Sequence, residues 1–103
     1  VAITSEWTTQ LKALADESRL RIVSALIKQP LHVNALAEQL GTSQYNISKH
    51  LRILREAGLV DCEIKANRRE YVVARRLRRK LVRQQNVLDL GCCTFRFDRL
   101  PKK

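Results

Sequence analysis

Two amphipathic helix patterns joined through a single glycine constrain this chain more than any other feature. In "NALAEQLGTSQYNISKHLRILREAG", Leu36, Ala37 and Leu40 form one apolar stripe, and Ile47, Leu51 and Leu54 recur at i, i+4 and i+7 to form another. Each stripe covers one side of its helix, so both helices must lay that side on a shared core. Gly41 suits the left-handed position that ends the first helix, and Gly58 ends the second. Asn34 and Ser43 offer side-chain oxygens as their N-caps. Helix, short glycine-bearing turn, second amphipathic helix is the helix-turn-helix pattern.

The flanks extend it. Upstream, "TTQLKALADESRLRIVSALIKQP" carries Leu11, Leu14 and Ala15 in one helical stripe and Leu20, Val23, Leu26 and Ile27 in a second. Asp16-Glu17-Ser18 supplies N-cap chemistry between them, and Pro30 stops the second helix. Downstream the period changes to two: Val60, Cys62 and Ile64 alternate with polar residues, as do Tyr71 and Val73. This predicts a β-hairpin with a polar, basic tip at Ala66-Asn67-Arg68, placed as a wing. "RRLRRKLVRQQ" then predicts one short, very basic helix. The expected fold is mainly α with a small β-hairpin (α+β), a winged helix-turn-helix. The pattern is expected to divide the chain into a folded winged helix-turn-helix domain over residues 1–85 and a cysteine-bearing extended tail over 86–103. A chain of 103 residues has a thin core, which oligomerisation would complete.

Charge narrows the partner. Twenty Lys and Arg against ten Asp and Glu give a net charge of +10. Lys65, Arg68, Arg69, Arg75, Arg76, Arg78, Arg79, Lys80 and Arg83 crowd one stretch that holds only Glu70 as an acid. Such crowding favours a polyanion, nucleic acid before an anionic membrane surface. No apolar run approaches the roughly 18–20 residues that span a bilayer, and no signal peptide is visible. Three cysteines without disulfide spacing point to free thiols in a reducing, cytoplasmic setting.

The start of the second helix of a helix-turn-helix enters the major groove, where short polar side chains reach base edges. Here it offers Thr42, Ser43, Gln44, Tyr45, Asn46, Ser48 and Lys49, with Arg52 further along. Gln and Asn can bond adenine bidentately; Ser, Thr and Lys can reach phosphates or bases. Lys65, Asn67, Arg68 and Arg69 at the hairpin tip can grip phosphate or probe a minor groove. His50 has two readings, a structural hydrogen bond or a phosphate contact.

"LKALADESRLRIVSAL", "ALAEQLGTSQYNISKHLRILREAGLV" and a basic wing ending in "REYVV" together resemble the ArsR/SmtB-type winged-helix repressors, from about Leu11 to Val73. The resemblance implies a homodimer that binds double-stranded operator DNA and releases it on sensing a metal ion, metalloid or redox signal. It also implies a dimer interface made by the first and last helices, with Trp7, Leu11 and Leu81 as candidates. Arsenic- and cadmium-sensing members carry a Cys-x-Cys pair where this chain has His32 and Asn34, and zinc-sensing members carry His and Asp ligands on the last helix, where this chain has no histidine. Both sensing sites are therefore missing, and His32 reads as structural.

Cys62, Cys92 and Cys93 remain as the thiols. Three thiolates suit As(III) or another thiophilic metal ion, and a thiol near Arg and Lys suits a redox switch. The same residues also serve as small apolar core groups. In "VLDLGCCTFRFD", Leu88, Leu90 and Cys92 share one phase and Cys93, Phe95 and Phe97 the other. The slip predicts a kinked extended tail, bent at Gly91, with both adjacent thiols on one side. "VLDLG" also resembles the first strand and loop of SAM-dependent methyltransferases, but no second glycine follows closely and only ten residues come after Cys93. An enzyme is therefore not expected. The expectation is a homodimeric repressor released by As(III), another thiophilic ion or oxidation. The alternatives are a winged-helix regulator with structural cysteines and no inducer, and an interaction module for protein or RNA.

Overall fold

The structure, a computed structural model, describes residues 5–78, 81–82, 87–90 and 93–97. Four helices come first: α1 (Ser5–Leu14), α2 (Glu17–Lys28), α3 (Val33–Leu40) and α4 (Gln44–Glu56). The hairpin follows as β1 (Val60–Lys65) and β2 (Arg68–Val73), then a single turn of helix, α5 (Arg75–Arg78). Three short strands come last: β3 (Leu81–Val82), β4 (Val87–Asp89) and β5 (Thr94–Arg96). Among the described residues no helix is long and apolar enough to cross a membrane.

Local chemistry sets the helix ends. Asp16 caps α2 by accepting from the Arg19 N–H at 3.1 Å, and Ser43 Oγ caps α4 by accepting from the Asn46 N–H at 3.1 Å. The cap of α3 differs from the expected Asn34: His32 Nδ1 accepts from the Ala35 N–H at 3.2 Å. Two more residues, Val33 and Asn34, are thereby drawn into the helix, and Asn34 sits exposed within it. Gly41 ends α3 at φ 66, ψ 38, a left-handed conformation that sends the chain directly to Ser43.

The helices meet on one core. Leu14, Ile22, Ile27, Leu36, Ile47, Leu51, Leu54 and Leu59 are all fully buried, drawn from α1 to α4 and the start of the wing. Burial of one such side chain contributes about 1.5–3 kcal/mol. The wing is attached to this core by main-chain bonds as well as by packing. Leu31 and Tyr71 exchange N–H···O bonds of 3.1 and 2.7 Å, so the segment between α2 and α3 runs as a one-residue third strand beside β2. At the far end Ala66 and Asn67, at φ 49 and φ 64, make the two-residue turn that matches the twist of paired strands.

Two expectations need correction. Among the described residues of the basic segment after the wing only Arg75–Arg78 are helical, and Leu81–Val82 instead pair with Leu88 and Val87 as a strand. Cations at i, i+3 and i+4 repel along a helix, whereas strand pairing satisfies the same backbone groups. The tail is likewise not a kinked extended run. β4 and β5 form an antiparallel hairpin with Leu88 opposite Phe95, and the Leu90 N–H donates to the Cys93 carbonyl at 2.9 Å. Chain reversal, rather than a bulge, accounts for the change of apolar phase: Leu88, Leu90, Cys93 and Phe95 share one face of the hairpin. Leu88, Leu90 and Phe97 are buried in the same core as the helices, and the rings of Phe95 and Phe97 stack at 6.1 Å. Gly91 and Cys92 lie outside the described residues.

Leu54→Ala should lower the unfolding free energy by about 2–5 kcal/mol through the cavity it leaves. Ser43→Ala should cost about 1 kcal/mol through the lost cap. Urea denaturation followed by circular dichroism measures both; equal losses would contradict this division between core and cap.

Candidate nucleic-acid interface

Burial of Ile47, Leu51 and Leu54 decides which way α4 faces. With that stripe inward, Gln44, Tyr45, Ser48, Lys49 and Arg52 all stand exposed on the outer side. Tyr45 retains 77% of its surface, and the Arg52 side chain 82%. Arg52 approaches Glu56 only loosely, at 4.0 Å, an exposed pair of small energetic worth. The other three predicted residues have local roles. Ser43 is the cap, and the Asn46 side-chain amide donates to Thr42 Oγ1 at 3.3 Å. Thr42 and Asn46 therefore shape the turn while remaining exposed.

His50 takes the structural reading. Arg19 Nη1 lies 3.2 Å from His50 Nδ1, and because a guanidinium only donates, Nδ1 is the acceptor in this contact. Arg19 Nε also donates to the Ala13 carbonyl. One half-buried arginine thus joins the end of α1, the first turn of α2 and the middle of α4. Arg55 is an exposed cation that the sequence reading missed. Its signal was present, because Ser48, Arg52 and Arg55 recur at i, i+4 and i+7 along one side of the helix.

The wing tip presents Lys65, Asn67, Arg68 and Arg69, all exposed. The cations that follow are differently employed. Arg76 Nη1 lies 3.1 Å from Glu6 Oε1, and Arg78 Nη2 lies 3.3 Å from Glu63 Oε2 while its Nε donates to the Val73 carbonyl. The Arg75 N–H donates to Asp61 Oδ2 at 3.1 Å. Part of the basic run therefore fastens α5 to the wing and to α1.

Cys62 is half-buried at the base of the wing, opposite Tyr71, and Cys93 is half-buried in the last hairpin; both pack on the core. Burial pushes the Tyr71 phenol above the ordinary tyrosine range, and neighbouring Cys62 adds to the rise, while Arg55 and Arg69 pull it down. Among the described residues no three His, Cys, Asp or Glu side chains gather as a metal site. His32 is committed to capping α3 and cannot replace a thiolate there.

Comparison with known proteins agrees with this geometry. A helix-turn-helix domain family matches residues 14–63. HlyU from Vibrio cholerae is 33% identical, covering 73% of this chain and 83% of its own, with a TM-score of 0.66. The homodimeric winged helix-turn-helix DNA-binding domain Mb0332 from Mycobacterium bovis, a possible ArsR-family regulator, is 30% identical at a TM-score of 0.66, covering 68% of this chain and 65% of its own. The cadmium metal-sensor CMTR from Mycobacterium tuberculosis is 36% identical at a TM-score of 0.61, covering 70% and 76%. The chain spans about half the length of the curated relatives it matches, 42% and 53% for two mycobacterial transcriptional regulators.

A phenol whose folded-state value is raised holds its proton longer in the folded chain than in the unfolded one. Stability should therefore fall as the pH climbs beyond about 10, where only the unfolded chain has ionised. Urea unfolding of the wild type and Tyr71→Phe between about pH 9 and pH 11 checks this, the phenylalanine variant losing less. Parallel curves would mean that burial does not act on this phenol.

Proposed function

The chain belongs to the ArsR/SmtB-type family of winged-helix transcriptional regulators, and from that premise we propose that it is a homodimeric repressor of double-stranded operator DNA. The observation that carries the reading is the outer side of α4. Gln44, Tyr45, Ser48, Lys49 and Arg52 stand exposed there, on a helix whose opposite side is wholly buried. Base edges are read by Gln44, Tyr45 and Ser48, with Asn46 and Thr42 holding the turn; Lys49, Arg52, Lys65, Arg68 and Arg69 neutralise phosphates. Asn67 stands at the wing turn, within reach of a groove edge.

Residues 1–85 act as the DNA-binding and dimerisation domain and 86–103 as the cysteine-bearing tail. Trp7 and Leu11 of α1, half-buried and 37% exposed, and Leu81 are the dimer candidates. With α5 only a turn long, α1 must supply most of any helical interface.

Release from DNA acts through Cys62, Cys92 and Cys93, with As(III) as the favoured thiophilic ligand and oxidation as the second route. The support is chemical: soft thiolates are the donors such a ligand needs. The described residues alone do not make a metal site. Core packing of Cys62 and Cys93 favours the second reading, a regulator with structural cysteines and no inducer.

Gel-shift titration on duplexes selected from a random pool tests both levels. Gln44→Ala should weaken the selected sequence by about 1–3 kcal/mol and leave nonspecific binding unchanged. Protection of a short pseudo-palindrome is the expected footprint, and failure to enrich any duplex would overturn the DNA reading. Addition of As(III), Zn(II) or peroxide should loosen the wild-type complex and spare Cys62→Ser, Cys92→Ser or Cys93→Ser. A wild-type complex indifferent to all three leaves the structural reading of the cysteines.

A further inference from the structure

The register of the wing sorts its side chains into two faces. Residues paired across an antiparallel hairpin share a face, so Val60, Cys62 and Ile64 lie with Val73, Tyr71 and Arg69. Asp61, Glu63 and Lys65 lie with Val72, Glu70 and Arg68 on the other. Every carboxylate of the hairpin therefore falls on the second face. Two of them are bonded to α5, Asp61 to the Arg75 N–H and Glu63 to the Arg78 guanidinium. The first face carries no acid at all.

That acid-free face also carries an unusual side chain. From base to tip it runs from buried Val60 through half-buried Cys62 to Ile64, which is 73% exposed. A β-branched apolar side chain stands in water at the end of the wing, directly opposite Arg69 and one residue from Lys65. Tyr45 on α4 is the comparably exposed large apolar side chain among the described residues. The two lie on the two elements assigned to DNA, and each is bordered by cations.

Resting on the DNA-binding reading, we propose that the Ile64–Arg69 face of the wing is the one that meets the duplex, with Ile64 packing as an apolar contact in the minor groove. Charge complementarity selects the face, since the strands of the opposite one would bring Asp61, Glu63 and Glu70 against phosphates, while its Lys65 and Arg68 adjoin the turn and reach the backbone from the tip. Groove order selects the site. With α4 in the major groove, the next groove along the axis is the minor one, whose narrow walls accept Arg and apolar wedges. Arg69 supplies the cation and Ile64 the apolar surface that excludes water from the sugar edges.

The experiment uses the full chain on duplexes enriched by the wild type, with affinity measured by fluorescence anisotropy across a salt series. Ile64→Ala should weaken binding about tenfold, the worth of one partly buried apolar side chain, and leave the salt slope unchanged. Arg69→Ala should reduce the slope by about one, as the loss of a phosphate contact does. Ile64→Val should bind nearly as the wild type, and netropsin, a minor-groove ligand, should compete less effectively against Ile64→Ala. Thermal unfolding should be unmoved in both Ile64 variants, because the side chain is outside the core. Wild-type affinity in Ile64→Ala, or a loss accompanied by a changed slope, overturns the assignment. A wild-type chain that enriches no duplex removes the DNA reading itself, and this inference with it.

Discussion

Everything outside the core depends on the burial of one stripe of α4. Ile47, Leu51 and Leu54 are almost fully removed from water, and they hold the helix against α1, α2, α3 and the start of the wing. Three such side chains contribute on the order of 5–9 kcal/mol, comparable to the whole stability of a small domain. Rotating α4 about its axis would forfeit that contribution. The polar and cationic side chains are thus held outward by the apolar ones behind them. Arg19 adds direction, because its bonds to Ala13 and His50 tie the middle of α4 to the α1–α2 junction.

The second constraint is electrostatic. A chain of net charge +10 could not place all its cations toward one partner without strong self-repulsion. The structure divides them. Arg76 and Arg78 meet Glu6 and Glu63, while Lys49, Arg52, Lys65, Arg68 and Arg69 stand exposed on α4 and the wing. The register of the wing gathers Asp61, Glu63 and Glu70 on one face, where α5 bonds the first two, and leaves the other face without a carboxylate. The strands around that face are fixed to the core by the Leu31–Tyr71 bridge, so its orientation follows from main-chain geometry.

The helix-turn-helix, its caps at Asp16 and Ser43, the turn at Gly41 and the wing were legible because each rests on local rules of period and capping. The exposed set on α4 was legible for the same reason. Arg55 follows the same row as Ser48 and Arg52, one turn beyond the residues that a groove-entering helix start offers. Other features were not legible. The cap of α3 falls to His32 because the chain enters that helix earlier than the residue preferences at Asn34 imply. Leu81–Val82 is a strand rather than a continuation of α5 because it finds a partner strand six residues further on, which no local pattern announces. The basic run could not be divided between phosphate and protein partners from its composition.

Between Leu11 and Val73 the sequence by itself determined which segments are helices and strands and which side of α4 is apolar, since both follow from periodicity within a dozen residues. It also established a cationic chain suited to a polyanion. Only the tertiary structure decided that the tail folds back as a hairpin sealing the core with Leu88, Leu90 and Phe97. Only it showed that His50 serves Arg19, and that Asp61 and Glu63 of the wing are drawn to α5. Those outcomes depend on contacts between residues far apart in the chain, whose free energy is released only when the elements have already packed.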